Sequence, residues 1–185
     1  EDVDAILGEH LPRFAAALPA GQPLRIVFFA HGGLVAESAG LAIAAKHLAF
    51  WLGNGIYPIN FVWETGFFET LAQLLGRARG PRAARDVADY TTDPLIEMGA
   101  RALQGPRIWG GMKRGAERAS AAHGGATYAA KCLAACIAKA GGARTHEVHL
   151  VGHSAGSIFH THFIQALKSE GVPRVATLQL LAPAI

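Results

Sequence analysis

The sequence predicts an α/β fold, in which a mainly parallel sheet carries helices on both of its faces. Short apolar runs rich in β-branched and aromatic residues recur along the chain, and they alternate with segments whose apolar residues have helical spacing. Gly or Pro residues separate many of these segments. Such alternation is typical of parallel strands joined by helical crossovers. The length of 185 residues fits a single domain.

The first half of the chain contains two predicted strands. Residues 3–19 have the apolar spacing of an amphipathic helix, and residues 24–29 form an apolar run that favours a buried strand. A helix is expected from about residue 37 to 52, closed by a Gly-Asn-Gly sequence. Residues 57–63 form the second strand, where Pro58 is tolerated because it stands near the start.

The second half repeats this alternation. Residues 128–140 favour a helix, 147–151 a third strand, 155–169 another helix and 175–181 a fourth strand. Together with the first half they predict four parallel strands with intervening helices.

A long insert, residues 65–127, separates the second and third predicted strands. It starts at the carboxyl end of a strand, which is where α/β folds bind ligands, so we interpret it as a helical lid or cap. Peripheral helices that only thicken one face are the alternative. Basic residues outnumber acidic ones between residues 77 and 118, a pattern typical of a solvated helical face, although contact with an anionic membrane surface is a second interpretation. No nucleic-acid-binding motif accompanies these charges, so no nucleic-acid partner is expected.

Two cysteines, Cys132 and Cys136, lie four positions apart on a predicted helix. Their Cβ atoms would lie side by side, which is a poor geometry for a disulfide, and no nearby residues complete a set of zinc ligands. We therefore expect small core residues in a reducing compartment, a cytoplasmic protein, and no metal or cofactor. No apolar run reaches the roughly 18 residues that a membrane span needs.

The sequence Gly152-His153-Ser154-Ala155-Gly156 stands between the third predicted strand and the helix after it. A Gly-x-Ser-x-Gly sequence is a weak signal alone, but a sharp turn between a strand and a helix is the context that a serine nucleophile requires. Gly152 and Gly156 allow the strand and the helix to approach each other. Ser154 is therefore the predicted nucleophile, above the positive end of a helix dipole.

A second motif, His31-Gly32-Gly33-Leu34, directly follows the first predicted strand. Together with the Gly-x-Ser-x-Gly turn and the order of the strands and helices, this motif gives residues 24–181 a sequence pattern that resembles the α/β-hydrolase superfamily. The resemblance implies an acyl-Ser154 intermediate formed from an ester, a lipid or an amide. It also implies an oxyanion hole made by the amide of Ala155 and a loop amide, with Gly33 the first choice and Leu34 the second.

The two histidines of these motifs are expected to support the site. His31 is predicted to hold its loop in place rather than to act as the catalytic base, and His153 to pack beside the nucleophile. The expected partner is a small-molecule or lipid ester substrate.

The sequence departs from the family's order of nucleophile, acid and histidine, because no Asp, Glu or His follows Glu170. We expect the chain to be a fragment, inactive by itself, whose acid and base come from residues beyond it. A triad assembled internally, using His31 and Glu64, is one alternative. A catalytically silent binding module that uses the basic insert is the other.

Overall fold

The structure is a computed structural model that describes residues 2–33, 35, 37–63, 105–142 and 144–184, without the side chains of residues 105–108. The strands are β1 (Leu24–Ala30), β2 (Ile56–Phe61), β3 (His146–His153) and β4 (Val175–Leu181). The helices are α1 (Asp2–Ala5), a π-helical segment (Ile6–His10), α2 (Leu11–Ala17), α3 (Glu37–Gly53), α4 (Gly105–Ala119), α5 (Gly125–Lys139) and α6 (Gly156–Ser169).

The predicted α/β class is confirmed: the four strands form one all-parallel sheet in the order β2-β1-β3-β4, flanked by helices. Two strand ends differ from the sequence prediction by two residues. β3 continues through His153 because Gly152 still pairs with Ala30, and His153 with Leu181. β2 ends at Phe61, since the amide of Trp63 bonds to a side chain instead of a neighbouring strand.

The direction of the crossovers reverses at β1. From β1 the chain passes through α3 to β2 on one side, and the next strand of the described residues, β3, lies on the other side. Since crossovers between parallel strands are right-handed, α3 lies on the opposite face of the sheet from α6. The carboxyl ends of β1 and β3 are therefore the topological switch point of the sheet, the position where open α/β sheets bind ligands.

The core lies between the sheet and α6. Phe28 of β1 is fully buried, and its ring centroid is 5.0 Å from that of Phe163 on α6. Helix α4, which belongs to the predicted insert, also buries Met112 and Ala116 in this core. The described end of the insert is thus part of the packed domain, whereas residues 65–104 of the predicted insert lie outside the described residues.

Most of the large exposed apolar side chains in the described residues lie on α3 and on β4. On α3, Phe50 is 62% exposed, and on the edge strand β4, Leu181 is 50% exposed. Cys132 and Cys136 are half-buried free thiols on α5, and burial raises the pKa of Cys136. No helix in the described ranges combines the length and the apolar character needed to cross a membrane.

Candidate active site

Ser154 lies at the turn between β3 and α6 with an unusual backbone conformation. Its φ is +50°, in the left-handed region that L-residues other than glycine rarely adopt. Three backbone hydrogen bonds hold this turn: the Ser154 amide donates to Leu181 O at 2.9 Å, and Ser154 O accepts from the amides of Ser157 at 3.0 Å and Ala184 at 3.2 Å. The side chain is half-buried, so the hydroxyl is held at a strained turn with access from outside.

Gly152 and Gly156 are required by close backbone contacts on either side of Ser154. A Cβ atom on Gly152 would lie 2.8 Å from the carbonyl carbon and oxygen of Gly156. A Cβ atom on Gly156 would overlap the carbonyl oxygen of Ala30 and lie 2.8 Å from its carbonyl carbon. Because neither glycine has a side chain, α6 can begin directly against the ends of β1 and β3.

The loop after β1 lies against this turn. A Cβ atom on Gly32 would be 3.3 Å from Ser154 Cβ, and one on Gly33 would be 3.1 Å from Ala155 Cβ. The structure thus brings together four of the predicted site residues, Gly32, Gly33, Ser154 and Ala155, at the carboxyl ends of β1 and β3. Leu34, the second choice for a loop amide, lies outside the described residues.

His31 is buried below this loop, with 3% exposure, and both of its ring nitrogens are engaged. Nδ1 lies 2.8 Å from Gly32 O, to which it can donate, and Nε2 accepts from the amide of Trp63 at 3.3 Å. Burial lowers the pKa of His31, which favours the neutral ring that this pair of bonds requires. This arrangement ties the loop to the end of β2 and leaves neither nitrogen available as a base without breaking a bond.

Trp63 and Ser157 are supporting residues that the sequence reasoning missed. Trp63 Nε1 donates to His31 O at 3.2 Å, a second bond between the end of β2 and the loop. Ser157 is buried, and its hydroxyl is within 2.7 Å of Ser154 O and 2.9 Å of Ala184 O. The signal for Trp63 was an aromatic residue at the end of a predicted strand, whereas no sequence pattern distinguished Ser157.

Two further histidines lie near the turn, in different environments. His153 is exposed, with its Nδ1 3.2 Å from the position of a Cβ atom on Gly32. His160 is fully buried behind Gly152, where Nε2 lies 2.9 Å from Val151 O. Burial lowers the pKa of His160 to about 4, so its ring is neutral near pH 7 and acts as a packing group that donates to the strand.

No His, Asp or Glu side chain within the described ranges makes a hydrogen bond with Ser154 Oγ. Glu64, the acid of the internal alternative, lies outside the described residues. Those ranges also contain no group of three or more His, Cys, Asp or Glu residues that could hold a metal ion. The described site therefore consists of a strained serine, the amino end of α6 and the adjacent glycine loop.

This arrangement favours negative charge beside Ser154. The first amides of a helix have no acceptor within the helix, and the helix dipole is positive at that end. Ala155, which precedes the first residue of α6, contributes such an amide next to the hydroxyl. An oxyanion formed on a carbonyl attacked by Ser154 would be stabilised there.

Comparisons of this chain with protein-family models, with curated proteins and with solved structures found no match.

Proposed function

We propose that this chain carries the nucleophile and the oxyanion hole of a serine hydrolase of the α/β-hydrolase type, acting on an ester, a lipid or an amide. The proposal depends above all on the positive φ of Ser154, at the carboxyl ends of β1 and β3 where the crossovers change direction. A serine that only caps or fills a turn gains nothing from a strained conformation, whereas a nucleophile gains exposure of its hydroxyl.

The proposed reaction is covalent acyl transfer. Ser154 Oγ gives its proton to a base supplied from outside the described residues and forms a bond to the carbonyl carbon of the substrate. The alcohol or amine then leaves with a proton, and water hydrolyses the acyl-serine, which returns a proton to Ser154. The amides of Ala155 and of the loop at Gly33 hold the oxyanion in both steps.

The neighbouring residues support this chemistry by fixing the geometry. His31 and Trp63 hold the glycine loop against the turn through two hydrogen bonds to the end of β2. Preorganised donors of this kind stabilise a developing charge without needing to reorient during the reaction.

A fluorophosphonate probe, which reacts with activated serines, tests the proposal on the full-length protein. We expect covalent labelling of native protein at Ser154, none after heat denaturation and none in Ser154→Ala. The matched control is Ser169→Ala, since Ser169 is an exposed serine at the carboxyl end of α6, bonded only to Gln165 O among the described residues. Equal labelling of native and denatured protein, or labelling that persists in Ser154→Ala, would refute the nucleophile assignment.

A binding module that contacts an anionic membrane surface is the second candidate function. The outward face of α4 supports it, because Lys113, Arg114 and Arg118 are exposed there, with Glu117 as the acidic neighbour. This function predicts sedimentation with phosphatidylserine vesicles that persists in Ser154→Ala and decreases with salt. Sedimentation that is absent, or equal with neutral phosphatidylcholine vesicles, would exclude it.

A further inference from the structure

Met112 of α4 fills the space that a side chain at Gly33 would occupy. A Cβ atom on Gly33 would overlap Met112 Cε and lie 2.6 Å from Met112 Sδ. The same Cβ atom would be 3.1 Å from Ala155 Cβ. The thioether and Ala155 Cβ therefore both lie beside Gly33, whose amide is the proposed loop donor of the oxyanion hole.

Helix α4 presents one apolar face to the protein at this place. Trp109, Met112 and Ala116 follow one another at helical spacing, with Met112 6% exposed and Ala116 fully buried. Trp109 is half-buried, and Lys113 Nζ lies 5.6 Å from the centroid of its ring. Met112 is thus held as part of a packed wall rather than on a free surface.

We infer that Met112 determines which acyl chains the site accepts, an inference that rests on the proposed hydrolase function. The leaving group must exchange with water, so it departs on the open side of the site. In this inference the acyl group, which stays attached to Ser154, extends past Gly33 towards the thioether. Met112 would then limit the length of the acyl chain beyond Gly33, which favours substrates with short, unbranched acyl chains.

The choice of methionine fits this role. The side chain is unbranched and has three rotatable bonds, so a few additional carbon atoms can be accommodated by rotation. Replacing it with alanine would remove the thioether and leave space beside Gly33, whereas phenylalanine would fill the space with a rigid ring. The two substitutions should therefore change chain-length preference in opposite directions.

Hydrolysis of p-nitrophenyl acetate and p-nitrophenyl octanoate by the full-length protein tests the inference. In Met112→Ala we expect the ratio of kcat/KM for octanoate to that for acetate to rise at least about tenfold, since a few methylene groups in an apolar pocket have effects of that order. In Met112→Phe the ratio should fall by about the same factor. Ala116→Gly, which loosens the same helix about one turn farther along, should leave the ratio unchanged.

The outcomes separate the inference from the function on which it rests. A wild-type protein that hydrolyses neither ester faster than Ser154→Ala would refute the proposed hydrolase function and the inference with it. Wild-type hydrolysis together with an unchanged ratio in both Met112 variants would refute the inference alone. If Met112→Ala does not fold, Met112→Phe still decides the question, because it retains a large apolar side chain in the core.

Discussion

Replacing Gly156 with alanine should be one of the most destabilising single-methyl substitutions in the described part of the chain. The added Cβ would overlap Ala30 O, lie 2.8 Å from Ala30 C and lie 3.1 Å from His31 O. Real Cβ atoms almost never come within 3.0 Å of such atoms, and ordinary contact begins near 3.4 Å. Because the obstacle is the backbone of a central strand, no side-chain rotation relieves it, and α6 must move away from β1.

That movement would loosen the packing between the helix and the sheet. The affected contacts include the pair formed by Phe28 and Phe163, whose ring centroids are 5.0 Å apart. Overpacking a core costs about 1–3 kcal/mol and occasionally more, and the rigid obstacle places Gly156→Ala at the upper end, about 3 kcal/mol. For a protein of this size such a loss lowers Tm by roughly 6–12 °C.

Urea denaturation followed by circular dichroism, with the free energy of unfolding as the readout, measures this effect. Gly53→Ala is the matched control, because Gly53 at the end of α3 has an ordinary φ and no atom within 4 Å of an added Cβ. We expect the control to be neutral or slightly stabilising, since alanine restricts the unfolded chain. If the free energy of unfolding of Gly156→Ala lies within about 1 kcal/mol of that of Gly53→Ala, the close approach between α6 and β1 is refuted.

Two further predictions concern the histidines and their partners. Burial lowers the pKa of His160 from 6.5 to about 4, so between these pH values the unfolded chain binds more protons than the folded protein. The free energy of unfolding should therefore be highest above pH 6.5 and fall by about 3 kcal/mol as the pH drops through 4. The midpoint of urea denaturation should therefore decrease from pH 7 to pH 4. His160→Gln, which keeps an N–H donor for Val151 O, should weaken this pH dependence. An unchanged pH dependence in the variant would show that His160 is not its cause. Trp63→Phe removes the indole donor to His31 O and should cost about 1 kcal/mol in urea denaturation. It should also slow fluorophosphonate labelling of Ser154, and unchanged stability and labelling would show that this bond does not hold the loop.

The strands and helices were largely predictable because each has a local signal. The apolar run at residues 24–29 and the boundaries of β4 agree with the sequence prediction to within one residue. The π-helical segment Ile6–His10 within the amino-terminal helix was not predicted, because the apolar spacing of a short helix does not distinguish α from π geometry. The start of α5 at Gly125 was also missed, since the sequence offers no N-cap side chain there.

At the candidate site, the sequence by itself predicted Ser154, the flanking glycines and the glycine loop, because a serine at a sharp strand–turn–helix junction requires particular residues at fixed spacing. Only the tertiary structure decided that the loop lies against the turn, since β1 and β3 are far apart in sequence and meet through sheet pairing. It also placed Trp63 beside His31, and Met112 beside Gly33, although each pair comes from separate elements. Local physical chemistry thus determined which residues could act, whereas burial and packing between distant segments determined which residues surround them.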